Sequence, residues 1–197
     1  MRHFTPRRPW TPLTDTEWAA LAPHLPRADP SASRTAGRPI ADPRARMDAM
    51  LYACVTGCPW GELPETDAKP LSIARHFRRL AHAGVWSRLL RALTAADAAS
   101  ALRAMEYWIC RLARRAMRML GMEGIDLARQ LGLLSALPML PWFMPNRDLS
   151  QSLLATIDEV LNRLPRQRPP PGLLTLLGKC LQHAGGRQVW SKRLAPP

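Results

Sequence analysis

Residues 72–83 concentrate cationic side chains without any carboxylate. The segment reads Ser-Ile-Ala-Arg-His-Phe-Arg-Arg-Leu-Ala-His-Ala, with three arginines and two histidines. Guanidinium groups bind phosphates and the O6 and N7 atoms of guanine, whereas a carboxylate on the same surface would repel a phosphate backbone. Because solvated helix faces usually mix charges of both signs, this composition indicates a surface for nucleic acid. A solvated basic face on a small helical domain is the alternative.

A helix is predicted to position these side chains. Ile73, Phe77 and Leu80 recur at the i, i+4, i+7 spacing of a single buried face. The opposite face then carries the basic residues, from a helix start at about Ser72. The base-reading candidates lie at its N-terminal end, where reader helices meet base edges: Ser72, Arg75 and His76. The phosphate candidates in or next to this helix are Lys69, Arg78, Arg79 and His82.

A second helix is predicted immediately upstream. Asp42 followed by Pro43 is typical of a helix start, and Gly57 of a helix end. A short helix over residues 59–63 precedes the basic helix. Two helices joined through a tight segment form a helix-turn-helix, in which the second helix reads the DNA.

Basic residues also precede and open the upstream helix. Arg38 lies in a Gly-Arg-Pro segment that is suited to a narrow minor groove. Arg44 and Arg46 follow and are further phosphate candidates. A linker with incidental arginines is the alternative interpretation.

Short motifs occur in a fixed order over about 80 residues. They are Pro-Leu-Thr-Asp-Thr-Glu-Trp at 12–18, Gly-Arg-Pro at 37–39, Leu-Tyr-Ala-Cys-Val-Thr-Gly-Cys-Pro-Trp-Gly-Glu-Leu-Pro at 51–64, the segment 72–80, and Ala-Gly-Val-Trp at 83–86. In this order, residues 12–93 resemble the N-terminal DNA-binding domain of bacterial insertion-sequence transposases of the DDE type. Leu71 departs from the family, which tends to have Trp there.

The resemblance implies a helix-turn-helix that binds double-stranded DNA at the inverted repeats of a mobile element. It implies a part in transposition and DNA recombination, and supports the helix from Ser72 as the reader. Such transposases also contain a ribonuclease-H-like sheet whose three carboxylates hold two metal ions. Residues 97–197 contain few strand formers and seven acidic residues. We therefore expect no catalytic residues, no enzymatic activity, no metal and no other cofactor.

Composition agrees with a nucleic-acid partner. The 197 residues carry a formal net charge of +13, and 25 of the 28 basic residues are arginines. Residues 1–10 lack the apolar core of a signal peptide, and the apolar stretch 131–144 is too short to span a bilayer. We expect a bacterial cytoplasmic, nucleoid-associated protein without a membrane partner or a small-molecule substrate. The four cysteines are expected to be free thiols.

The fold class is predicted to be all-α. Further helices are expected over 14–25, 85–93, 97–120, 149–164 and 173–184. The predicted organisation is a flexible basic N-terminus (1–11), a helix-turn-helix domain (12–96), a helical extension (97–184) and a basic tail (185–197).

The extension offers two further hypotheses. Apolar or small residues from Ala98 to Met119 recur with alternating steps of four and three, which forms a heptad seam. A homodimer through helix 98–119 is one interpretation, and packing within the chain is the other. The alternative to DNA binding is a protein–protein adaptor with a basic face and a Leu-rich tail. Within the DNA-binding interpretation, an element remnant and a repurposed regulator both stay open.

Overall fold

Helices make up the ordered framework of the chain. The computed structural model describes residues 4–26, 42–64 and 68–186, and no β-strand occurs among them. The predicted all-α class is confirmed. The α-helices of the described ranges are α1 (Asp15–Leu21), α2 (Pro43–Thr56), α3 (Pro70–His82), α4 (Val85–Thr94), α5 (Ser100–Ala104), α6 (Glu106–Gln130), α7 (Arg147–Arg163) and α8 (Leu173–Ala184). Short 3-10 helices cover Ala22–His24, Trp60–Glu62, Leu134–Ala136 and Pro141–Phe143.

The predicted caps explain where the first helices begin and end. The side chain of Thr14 accepts a hydrogen bond from the Glu17 amide, and the Glu17 carboxylate accepts one from the Thr14 amide, which closes a capping box. The Asp42 side chain caps α2 by accepting a hydrogen bond from the Ala45 amide, and Pro43 is the first residue of this helix. Gly57 ends α2 at φ 82°, in the left-handed region that favours glycine.

Helix α3 begins two residues before the position that the sequence indicated. Pro70 is its first residue, where the missing amide hydrogen removes no helical bond. Ile73, Phe77 and Leu80 are buried as predicted. Gly84, at φ 71°, then makes a tight turn into α4.

The helix expected over 97–120 is divided. Helix α5 stops at Ala104, and α6 continues past the expected end to Gln130, with a non-helical residue at Gly121. Most of the heptad seam is buried, which agrees with packing within the chain: Leu102, Met105, Ile109, Leu112 and Ala116 are almost inaccessible. Ala98 and Met119, at the two ends of the seam, are half-buried. A homodimer stays a prediction, but this seam already has its partners inside the protein.

The structure divides into two compact units between Pro138 and Met139. In the first, α6 packs against α2, α3 and α4. This brings α5 and α6 into the same unit as the predicted DNA-binding region, so the compact units do not divide at residue 96. Two tryptophans are completely buried in this unit, Trp86 and Trp108.

Residues 4–10, which were expected to be flexible, lie against the first unit. The indole nitrogen of Trp108 donates to the Pro9 carbonyl at 3.2 Å, and the Thr5 amide donates to the Ser135 hydroxyl at 2.8 Å. The Arg8 guanidinium lies 3.8 Å from the centre of a Trp108 ring and pairs with Glu17. These partners are distant in sequence, which is why local composition did not indicate them.

The second unit contains the helical hairpin of α7 and α8, which pack against each other. Their bounds are close to the predicted ones. No residue of α7 is buried, and only Leu177 and Ala184 of α8 are. Large apolar side chains therefore remain exposed on this unit: Leu149, Leu154, Leu161, Leu164, Leu174 and Leu176.

A candidate nucleic-acid interface

Helix α3 has one buried face and one cationic face. Ile73, Ala74, Phe77, Leu80 and Ala81 are buried. The ring of Phe77 lies between those of Trp60 and Trp86, with centroids 5.2 and 5.0 Å away. Because this contact fixes the rotation of α3 about its axis, the residues between the buried positions must face outward. The helix therefore presents a defined set of side chains to a partner.

The outward set lines an open concavity of about 550 Å³. Ser72, Arg75, Arg78 and Arg79 come from α3, and Arg46 comes from the first turns of α2. The structure thus joins a residue of the predicted upstream arm to the predicted reader helix. No carboxylate lines the concavity. A site with four guanidinium groups and one hydroxyl can bind phosphate oxygens and the acceptor atoms of base edges.

The four arginines of this concavity have no partner within the described part of the chain. Arg46, Arg75, Arg78 and Arg79 make neither an ion pair nor a side-chain hydrogen bond there. Guanidinium groups without an intramolecular partner keep all their donors for a ligand. We call these four residues the free arginines.

His76 is affected both by its burial and by the arginine charges of this surface. Burial, together with the charges of Arg46 and Arg79, lowers the pKa of His76 to about 4. Its imidazole is therefore neutral near pH 7. The Nδ1 atom is buried and has no hydrogen-bond partner in the described structure. Although His76 was predicted as a base reader, it is half-buried, and it does not line the concavity.

The other predicted contacts fall in different places. Arg44 is held within the protein, since its guanidinium pairs with Asp15 and donates to the Leu13 carbonyl. Lys69 precedes α3 and is exposed, and His82 is exposed near the end of the helix. Arg38 lies outside the described residues. The predicted contacts that the structure brings together are Arg46, Ser72, Arg75, Arg78 and Arg79.

The connection between α2 and α3 contains a short helix, as predicted over 59–63, but it is longer than a tight turn. It runs from Gly57 to Lys69 and contains the 3-10 helix Trp60–Glu62, whereas the turn of a helix-turn-helix usually has about three or four residues. The short turn in this region is instead Ala83–Gly84, between α3 and α4. The cationic face of α3, and not the length of the connection before it, therefore identifies α3 as the candidate reader helix.

A second group of arginines serves the fold. Arg111 donates to the Cys54 carbonyl at 3.0 Å, and Arg115 donates to the carbonyls of Ala53 and Cys58 at 2.8 and 3.0 Å, so both satisfy the end of α2. Three further arginines donate to carbonyls at or just beyond the ends of α5, α3 and α4: Arg8, Arg88 and Arg103. Positive groups stabilise the carbonyl end of a helix. We call these five residues the capping arginines.

Sequence reasoning did not separate the capping arginines from the free ones. Most of their carbonyl partners are distant in sequence, with 57 positions between Arg111 and Cys54 and 62 between Arg115 and Ala53. The one local signal would have been the nearby end of a predicted helix, as for Arg88 beside Ala83.

The described residues hold no group of three His, Cys, Asp or Glu side chains that could bind a metal ion. All four cysteines are free, and burial raises the pKa of Cys54 and of Cys110 to about 12. Both thiols are therefore protonated near pH 7. No helix within the described ranges is long and apolar enough to cross a membrane.

Together, the fold and the concavity define an all-α unit with a cationic face on α3. Residues 13–90 match the sequence model of a family described as "Putative transposase of IS4/5 family". The predicted resemblance is thus confirmed: the N-terminal region is consistent with a transposase N-terminal domain. No curated protein and no solved structure matches the chain.

Proposed function

We propose that the chain binds double-stranded DNA in a sequence-specific manner, with α3 in the major groove. The observation that carries the proposal is the carboxylate-free concavity lined by Arg46, Ser72, Arg75, Arg78 and Arg79. Four free guanidinium groups repel one another in the unbound protein, and their charge is compensated when phosphates approach. Burial is the largest cause of the low pKa of His76, and the charges of Arg46 and Arg79 lower it further.

The positions along α3 suggest a division of work. Ser72 and Arg75 lie in the first two turns, where a helix that enters the groove meets base edges. Arg78 and Arg79 lie further along, and Arg46 approaches from α2, so these three suit the phosphate backbone. Arg88 donates to the Ala83 carbonyl at 2.7 Å, which fixes the end of the recognition helix.

The family match over residues 13–90 supports a role related to transposition. We propose that residues 13–90 bind the terminal inverted repeats of an insertion element, as an element remnant or as a repurposed regulator. We also propose that this chain does not cleave DNA by itself. A DDE mechanism places carboxylates on a sheet around two metal ions, and the described residues form helices without a sheet.

The test is an affinity selection. Fragmented host genomic DNA is bound to the purified full-length protein at about 0.15 M salt, washed and sequenced. We expect discrete enriched sites, at inverted repeats for an element remnant and upstream of genes for a regulator. An Arg75→Ala variant should lose the enrichment, while Arg118→Ala, which removes an exposed arginine outside the concavity, should keep it. Enrichment no better than that of random fragments would contradict the proposal.

The exposed leucines of the second unit favour a second candidate, a protein–protein adaptor. An exposed apolar surface of this kind is typical of interaction sites, and α7 has no buried residue. Under this alternative, a complex isolated from the host survives nuclease treatment and is lost in a Leu154→Asp, Leu161→Asp variant. Substitutions of the free arginines would then leave the second-unit contact intact.

A further inference from the structure

Leu71 is the most exposed large apolar side chain in the described ranges, at 69% of its full accessibility. It is the second residue of α3, directly after Pro70. The remaining apolar side chains of this helix lie on the buried face. Leu71 is thus a single large apolar group at the leading end of a cationic surface.

The helix geometry places Leu71 beside the free arginines. Leu71, Arg75 and Arg78 are spaced i, i+4 and i+7, so they share one side of the exposed face. Ser72 adjoins them and lines the concavity together with Arg75. A charged phosphate provides no apolar surface for the leucine side chain to contact, whereas the major-groove edge of thymine carries an apolar C5-methyl group. The chemistry at this end of α3 therefore matches a base edge, and specifically a thymine.

We infer that Leu71 is a specificity-determining residue that contacts the C5-methyl group of a thymine, an inference that rests on the proposed DNA binding through α3. Side chains at i and i+4 are about 5–6 Å apart, and base pairs follow each other every 3.4 Å or so. Arginine most commonly reads guanine, through O6 and N7. We therefore expect the thymine to lie within two base pairs of a guanine that Arg75 contacts. The preferred site contains a thymine and a guanine as close neighbours.

The experiment changes single atoms or groups of the DNA and single side chains of the protein. The enriched site from the genomic selection is synthesised as a duplex, and each thymine in turn is replaced by deoxyuridine, which lacks only the methyl group. Affinities are measured for the full-length protein and for Leu71→Ala. Leu176→Ala is the matched control, because Leu176 is also an exposed leucine, 57% accessible, and lies on α8 and does not line the concavity.

One thymine is expected to respond. Its replacement by deoxyuridine lowers the affinity of the unsubstituted protein for the duplex about fourfold, which is the effect of one buried methyl group. Leu71→Ala binds the original site less tightly than the unsubstituted protein and is insensitive to deoxyuridine at that position. Leu176→Ala behaves as the unsubstituted protein does. Replacing the neighbouring guanine by 7-deazaguanine weakens binding by the unsubstituted protein, but not by Arg75→Ala.

Two results overturn the inference while the proposed function survives. In one, site-specific binding depends on Arg75 but no thymine responds to loss of its methyl group. In the other, Leu71→Ala responds to deoxyuridine as strongly as the unsubstituted protein. If the selection yields no preferred sequence, the proposed function fails as well. Because Leu71 is exposed, Leu71→Ala should fold normally, which circular dichroism verifies.

Discussion

Helices α3 and α6 both carry arginines beside a buried apolar stripe, but the arginines of the two helices do different work. On α6, Arg111 and Arg115 donate hydrogen bonds to backbone carbonyls of α2, and Arg114 donates to the carbonyl of Pro138. On α3, the three arginines have no such partner and face an open concavity. Arginine content alone therefore does not define an interface. The accessible carbonyl ends of neighbouring helices decide which arginines remain for a ligand.

This comparison changes how the charge of +13 is interpreted. The capping arginines contribute to the net charge, but part of their hydrogen-bond donors is already engaged by backbone carbonyls. The free arginines contribute both charge and unused donors. Substitutions in the two groups should therefore separate stability from binding.

The largest expected effect on stability is that of Arg115→Ala. The side chain makes two charge-assisted hydrogen bonds and lies 4.3 Å from the centre of a Trp60 ring, so its loss should cost about 3 kcal/mol of the free energy of unfolding. Denaturant unfolding followed by tryptophan fluorescence measures this. Arg118 lies on the same helix but is exposed and has no side-chain partner among the described residues, so Arg118→Ala should change stability by less than about 0.5 kcal/mol. Equal effects of the two substitutions would show that the hydrogen bonds of Arg115 do not stabilise the fold.

Arg79→Ala should weaken DNA binding and leave stability almost unchanged, whereas Arg115→Ala should lower stability. We expect DNA affinity to fall about tenfold or more, because a phosphate loses its partner, with unfolding changed by less than about 0.5 kcal/mol. Fluorescence anisotropy with the selected duplex measures the affinity. Arg118→Ala serves again as the matched change in charge and should have a much smaller effect on binding. A destabilised Arg79→Ala protein would show that Arg79 belongs to the fold instead.

The smallest expected effect is a shift in the pKa of His76, measured by NMR titration. The unsubstituted protein should titrate at about 4, and Arg79→Ala should raise the pKa toward the usual 6.5, because one of the repelling charges is gone. Since the folded-state pKa is depressed, protonation favours unfolding. The stability contributed by neutral His76 is present above pH 6.5 and decreases as the pH falls toward 4. A pKa that is unchanged in Arg79→Ala would place Arg79 away from this surface.

Local sequence signals predicted much of the helical framework. Asp42, Pro43 and Gly57 define α2, and the Ile73, Phe77 and Leu80 stripe orients α3, because caps and periodicity act within a few residues. The break before α6 was missed, since the seam continues through Met105 without a glycine or proline. The partner of that seam could not be predicted either, because an identical heptad pattern serves a dimer or a core.

The sequence predicted that the candidate site is cationic, but it did not predict which residues come together to form it. The pattern around Arg75 indicated a cationic face, and the structure adds Arg46 to it from another helix. Arg44, only two residues earlier, is instead held by Asp15. Neighbouring residues of a helix point in different directions, and only the tertiary packing shows which of them meets another element.

The most direct measurement is the salt dependence of double-stranded DNA binding by two charge-matched variants. One replaces Arg46, Arg75, Arg78 and Arg79 by alanine. The other replaces four exposed arginines outside the concavity whose side chains are unpaired in the described structure: Arg7, Arg91, Arg118 and Arg166. Each phosphate contact contributes roughly 0.9 to the slope of log affinity against log salt. If the free arginines are the interface, the first variant loses about three units of slope and its site specificity, and the second keeps most of both. Equal losses in the two variants would contradict recognition through α3.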